Sequence, residues 1–379
     1  MTLLLPPTEY HARRDRLQAL MATRGLDALL LTTDSDIRHV TGFLTRFWES
    51  PTRPWFIVVP ASGNPVAVIP SIGAHLMGQG WIADIRTWSS PDYEDDGVSL
   101  LAAALAETVP PGGAIAAPDH DGTHLRMPLA DWARLQALLP DRRFAGDGGT
   151  MRIARMVKSE AEIALIRQSC AIAGRAFARV SEIAAEGVPL ETVFRRFQAL
   201  CLEEGADWVP YVAGASAPGG YGDVISPATD VPLARGDVLM LDTGLIRQGY
   251  FCDFDRNYSV GQPSAEVARG HATLVEATQA AFDAARPGAT AADLFHVMAR
   301  IVGETDAGRL GHGLGMQLTE PPSLIPADQT VLEPGMVLTL EPAVTLGPGR
   351  ILVHEENIVI RETGPEWLSP PAPLEIPVI

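Results

Sequence analysis

The sequence predicts two domains, an α/β unit followed by an α+β unit, on three observations. A chain of 379 residues, 46% of them hydrophobic, can fill two cores more readily than one. Helix and strand signals alternate up to about residue 150, where GDGGT at residues 146–150 punctuates the chain. Beyond that point helical stretches and two strand-rich blocks follow, each block holding a hairpin with an unusual pair of acids. The expected domains are therefore residues 1–154 and 155–379.

In the first domain, residues 10–24 are amphipathic and lead through Gly25 into an apolar run at 29–31, a helix and then a strand. Further strands are expected at 55–59, closed by Pro60, and at 66–69, closed by Pro70. In the second domain, helices are expected at about 160–184, 190–204 and 264–285, with strands from 236 and from 336.

Composition excludes several function classes. The net charge is -17, with 29 basic against 46 acidic residues, which opposes nucleic acid and anionic membranes as partners. Cys170, Cys201 and Cys252 are too few and too scattered for a disulfide framework, so a reducing, cytoplasmic setting is expected. The opening MTLLLPP has no basic stretch and too short an apolar run for a secretion signal, and no segment has the length of a membrane span.

The first chemical signal is GDVLMLDTGLIRQGYFCDFDRNYSV, two apolar strands around a turn at Arg247, Gln248 and Gly249. A three-residue loop there sets Asp242 nearly opposite Asp253 or Phe254. Opposed like charges destabilise a strand pair, so facing carboxylates inside apolar strands call for a cation. The second signal is VLTLEPAVTLGPGRILVHEENIVI. A hairpin centred on Pro348 sets Glu341 opposite Glu355, with Thr339 opposite Asn357 and Val337 opposite Val359 on the same face, and turns Glu356 away.

Four converging carboxylates suit two divalent ions such as Mn, Co, Fe or Zn. Between the hairpins, GHGLGMQLTEPP surrounds His312 with Gly311, Gly313 and Gly315, which allow a close backbone approach and offer an imidazole to complete the ligand set.

Taken together these segments resemble the pita-bread metallopeptidases, the family of prolidase, aminopeptidase P, methionine aminopeptidase and creatinase. The resemblance rests on the order Asp, Asp, His, Glu, Glu, the eleven-residue step from Asp242 to Asp253, the GHGLG segment and EPGMVLTLEP. It implies a creatinase-type N-terminal α/β domain joined to an α+β pita-bread catalytic domain. Asp242 would then chelate one metal, His312 and Glu341 the other, and Asp253 and Glu355 would bridge them. The implied nucleophile is a bridging water or hydroxide, with Glu341 placed to take its proton. The implied assembly is a homodimer in which a partner's N-terminal loop covers the site.

Departures from the family pattern bear on the substrate. Thr319 stands where the family has a second histidine, no histidine precedes the first ligand, and Val353 replaces an arginine. Tyr221 and Asp223 are the nearest polar substitutes, and Thr319 can still donate a hydrogen bond. Asp255 shares a face with Asp253 and is expected either to support a ligand, as Asn357 and Thr339 would, or to pair with Arg256 or another base. In the loop TRFWESPTRPW, Arg46 and Trp48 suit a small zwitterion or cation. The leading expectation is an Xaa-Pro peptidase, aminopeptidase or dipeptidase, acting on small peptides. The alternatives are an enzyme of the same fold acting on a small non-peptide, like ectoine hydrolase, creatinase or sulfoniopropionate lyase, and a non-catalytic binding module.

Overall fold

The computed structural model describes residues 4–50, 53–303 and 308–379; Met1–Leu3 of the opening run and Pro51 and Thr52 of the aromatic loop lie outside them. Contacts divide the chain into Met1–Arg155 and Met156–Ile379.

The first unit is built on strands β1 (Ala28–Leu31), β2 (Phe56–Pro60), β3 (Val66–Pro70), β4 (Asp84–Trp88), β5 (Ala114–Ala117) and β6 (Arg143–Gly146), in the order β4-β3-β2-β1-β5-β6. The β1–β2 and β2–β3 pairs are antiparallel, while β3–β4, β1–β5 and β5–β6 are parallel. Leu29, Leu31, Ile57 and Val59 belong to one core cluster and Ala28, Leu30, Phe56 and Val58 to another. Both faces are therefore buried, which is why these strands read as unbroken apolar runs. The helix Pro7–Arg24 buries Tyr10, Arg13, Leu17 and Met21 along one stripe and stops at Gly25, whose φ of 63° suits glycine.

The second unit opens with the helix Glu160–Ala178, whose first turn is closed by a reciprocal cap between Ser159 and Glu162. The expected extension to 184 is not helical in the same way: a short 3-10 turn, Val180–Glu182, follows instead. Helices Leu190–Glu203 and Ala265–Ala284 follow the apolar spacing, and a further helix, Ala291–Val302, is added to them, capped by Thr290 and Asp293.

Its strands are β7 (Trp208–Pro218), β8 (Asp237–Arg247), β9 (Tyr250–Phe251), β10 (Phe254–Ser259), β11 (His312–Gly313), β12 (Glu320–Ser323), β13 (Val337–Leu340), β14 (Ala343–Gly347), β15 (Arg350–Val353), β16 (Glu356–Arg361) and β17 (Gly364–Trp367). They form a β10-β8-β7 sheet with β9 on β8, a β12-β11-β13-β16-β17 sheet, and the ribbon β14–β15.

The first hairpin corrects the expected register. Arg247 pairs with Tyr250, so the loop is the two residues Gln248 and Gly249, both left-handed with φ of 52° and 83°. Such a two-residue turn matches the strand twist. Asp242 consequently faces Asp255, not Asp253 or Phe254, and Asp253 lies two residues further along on the face of Asp255.

The second hairpin keeps the expected register. Val337 pairs with Val359 and Thr339 with Asn357 before the break, and Ala343 pairs with Val353 beyond it. Glu341 and Glu355 lie opposite each other in the short gap between these ladders, which the bond from His354 N to Pro342 O (3.1 Å) bridges.

Candidate metal centre

Both hairpins deliver their acids to one buried place. Nε2 of His312 lies 3.4 Å from an oxygen of Asp253 and 4.0 Å from Oε1 of Glu355, and all three residues are buried. The third ligand-type group arrives because the backbone of His312 crosses closely between its neighbours. A Cβ on Gly311 would stand 2.3 Å from the carbonyl oxygen of Thr339, and one on Gly313 would stand 2.3 Å from that of Pro321. The glycines thus admit neighbouring strands rather than a ligand.

The imidazole is fixed by its other nitrogen. Nδ1 of His312 lies 2.8 Å from the carbonyl oxygen of Gly313, so it carries the hydrogen, and Nε2 turns a lone pair toward the carboxylates. A lone pair facing anions is repulsive unless a proton or a cation stands between them. Burial, aided by the charge of nearby Arg309, pushes the His312 imidazolium down to about 4, so a proton is a poor occupant near neutrality.

The carboxylates are equally strained. Asp242, Asp253 and Glu355 are pushed well above the usual range, first by burial and then, for Asp242, by the charges of Asp253, Asp255 and Glu341 and, for Glu355, by those of Asp253, Glu341, Asp242 and Asp255. Burial raises Glu341 to about 7. Among the described residues, Oδ1 of Asp242 and Oε1 of Glu355 are buried without a hydrogen-bond partner. Removing an ion from water costs several kcal/mol even after relaxation, a cost that coordination to a divalent cation offsets. The donor set of carboxylate oxygens and one imidazole nitrogen fits a pair of first-row divalent ions.

Behind these groups stands a set of supporting contacts. Asp253 is held by Asn357, whose Oδ1 accepts from its N–H at 2.9 Å and whose Nδ2 donates to its carbonyl. The His312 N–H donates to Oγ1 of Thr339 at 3.1 Å. Asp255 accepts from the Glu355 N–H at 2.8 Å and from Nδ1 of His354 at 3.2 Å. Of the bases expected to pair with Asp255, Arg256 is not the partner, because that guanidinium turns to the other face and binds Glu356. Its base is His354.

Several expected substrate contacts are placed elsewhere. Tyr221 is wholly buried and its hydroxyl bonds to Asn257 Oδ1 and Val353 N, so it braces the sheet rather than meeting a ligand. Asp223 caps an exposed turn through Ile225 N and Ser226 N. Thr319 accepts a hydrogen bond from Arg309 at 3.3 Å. In the first unit, Arg46 is exposed and Trp48 packs on Phe43 and Trp55 beneath the Arg126 guanidinium.

The sequence reading missed three groups. Tyr211, on β7, hydrogen-bonds to Asp242, and burial together with the surrounding acids raises its phenol far above the usual value. His354 lies between Asp255 and Glu356; burial opposes its charge, but these two partners raise it to about 9. The run HEEN inside an apolar strand was its signal. Arg309 is the third, and only its place three residues before His312 marked it.

Comparison with known proteins agrees with this architecture. Residues 164–362 match the model of metallopeptidase family M24, and residues 13–157 that of the creatinase/prolidase N-terminal domain. The chain belongs to metallopeptidase family M24 and is a metallohydrolase of pita-bread fold. Among its relatives is the probable dipeptidase PepE of Mycobacterium tuberculosis, 32% identical over 361 residues, which span 93% of this chain and 92% of that protein. The crystal structure of dipeptidase PepE from Mycobacterium ulcerans is similar with a TM-score of 0.85 at 28% identity, covering 99% of both chains. The prolidase of Thermococcus sibiricus shares the fold, with a TM-score of 0.86 at 23% identity over 98% of this chain and 99% of its own.

Proposed function

We propose that the protein is an Xaa-Pro peptidase-like dinuclear hydrolase, a dipeptidase or aminopeptidase, cleaving the amide of small peptides. One observation carries this reading: buried Asp242, Asp253, His312 and Glu355, with half-buried Glu341 beside them, present orphaned oxygens on Asp242 and Glu355 and an imidazole lone pair aimed at anions. In this reading one ion would be held by Asp242, Asp253 and Glu355, and a second by His312 and Glu341 together with Asp253 and Glu355. Two divalent ions there supply Lewis acidity and a water acidic enough to attack at neutral pH.

The chain's own residues do the rest. Glu341, which lines the cavity beside the cluster, is placed to accept a proton from the attacking water and pass it to the leaving amine. Tyr211, hydrogen-bonded to Asp242, holds that carboxylate and offers a phenol beside the site. Asn357, Thr339 and Asp255 keep Asp253, His312 and Glu355 aimed inward. Manganese, cobalt, iron and zinc all suit the donors, and the expected setting is a cytoplasmic homodimer.

Metal analysis of the purified protein and assay of Xaa-Pro dipeptides with added Mn or Co test this reading. About two ions per chain and cleavage of these peptides are expected; bound metal without cleavage of any of them removes the peptidase. A small non-peptide substrate is the second reading, favoured by the hydroxyl of Thr319 being occupied by Arg309 where an imidazole was expected. A panel of small cyclic and linear amides decides between them, and light scattering reports the assembly.

A further inference from the structure

We propose that Arg309 sets the specificity of this site, receiving the free carboxylate of a small substrate whose remaining body is apolar. The proposal deepens the hydrolase reading and rests on it for its kinetic test. A cavity of about 670 Å³ opens beside Glu341, a size suited to a small molecule. Its walls are largely apolar, with Val224, Ile325, Ile351 and Val353 among them. Among the described residues of that lining, Arg309 is the only cationic one and Glu341 the only anionic one.

The state of Arg309 differs from that of the buried arginines. Arg13, Arg38, Arg155 and Arg256 each have an acid partner, in Glu9, Asp34, Asp36 and Glu356. Half-buried Arg309 makes one hydrogen bond, to the neutral hydroxyl of Thr319 at 3.3 Å, and pairs with no carboxylate among the described residues. A guanidinium has five N–H donors in a planar fork and keeps its charge throughout the physiological range. Most of that fork is left for something else.

Arg309 is also close to the reacting end, since its charge acts on Asp253, His312 and Glu341. A ligand spanning from the metal cluster into the cavity therefore meets a cation next to hydrocarbon. A carboxylate satisfies the fork with two parallel bonds, a geometry that an amide or hydroxyl cannot reproduce. The apolar walls penalise a second charge on the body of the same ligand. A dipeptide with a free C-terminus and an apolar second residue has this form.

The test compares metal-loaded wild type with R309M and R309K on Ala-Pro and on Ala-prolinamide, which differ only in the terminal charge. R309M should raise KM for Ala-Pro by about 10- to 100-fold, the usual worth of a charge-assisted pair, with kcat much less affected. The preference for the acid over the amide should collapse and be partly restored in R309K. Equal losses on both substrates, or a fall in kcat with KM unmoved, overturn the proposal and make Arg309 a donor to the reacting carbonyl.

Calorimetric binding of proline and prolinamide to the same proteins reads the discrimination without turnover. A wild-type preference for proline that disappears in R309M upholds Arg309 where neither dipeptide is cleaved, in which case only the peptidase reading falls. No preference in wild type overturns the role of Arg309 whatever the activity. Thermal midpoints and metal content confirm that the variants are folded, and R309K carries the comparison if R309M is not.

Discussion

Among the described residues, two clusters of two acids and a histidine have ligand-type atoms within 4.8 Å of one another: Asp119, His120 and Asp147 in the first unit, and Asp253, His312 and Glu355 in the second. By residue type they are nearly identical, yet their physical states differ. Asp119 and His120 are exposed and bonded to each other, so solvent screens both. The carboxylate of Asp147 is buried but fully used, accepting from Gly149 N at 2.8 Å and Met151 N at 2.9 Å at the start of the helix Thr150–Met156. In the second cluster everything is buried, and Oε1 of Glu355, 4.0 Å from the imidazole nitrogen, has no hydrogen-bond partner among the described residues. Unsatisfied burial, not the presence of ligand-type residues, is what singles out a metal centre.

Substitutions in the two clusters should separate them most sharply. D253N is expected to lower peptide turnover by on the order of a thousand-fold or more and to reduce bound metal, while D119N leaves both unchanged. Assay and elemental analysis of the two variants side by side would break the comparison if they behaved alike.

Chelation should act on the second unit. With metal at about 1,000 times its dissociation constant, loading stabilises the folded state by about 4 kcal/mol, and calorimetry should show that difference between stripped and loaded protein. In H120A the same difference should persist.

The effect should grow with pH. In the stripped protein Glu341 is raised to about 7 from 4.5, so its contribution to stability is complete below 4.5 and is lost as pH rises through about 7. Metal replaces that proton. The gap in melting temperature between loaded and stripped protein should therefore widen from pH 5 to pH 8, and a constant gap would contradict the burial of Glu341.

Supporting residues come next. N357A should weaken metal affinity by about 10- to 100-fold, because Asp253 loses the side chain that holds its backbone on both sides. Smallest is D147N in the first unit, where loss of capping should cost about 0.5–2 kcal/mol without changing metal content.

Much of the centre was readable from residue order. The hairpin around Pro348 has its turn signalled by Gly347 and Gly349, so its register, and with it the opposition of Glu341 and Glu355, follows from the sequence. The hairpin at Gln248 was misread by one position, because a non-glycine residue at φ 52° extends the ladder to Arg247 where a longer loop was expected. Asp255 thereby took the place assigned to Asp253. The buried fate of Tyr221 was not legible either, since its hydroxyl partners, Asn257 and Val353, come from distant strands.

Local order determined that this chain would make apolar strands carrying acids, a glycine-flanked histidine and two α- and β-bearing units, because periodicity and turn chemistry act between near neighbours. Only the tertiary structure decided which face each acid shares, which oxygens go without donors, and that Arg309 pairs with no acid among the described residues at the cavity beside Glu341. Those outcomes depend on desolvation and on the distance between charges, and both arise only when segments far apart in the chain exclude water together.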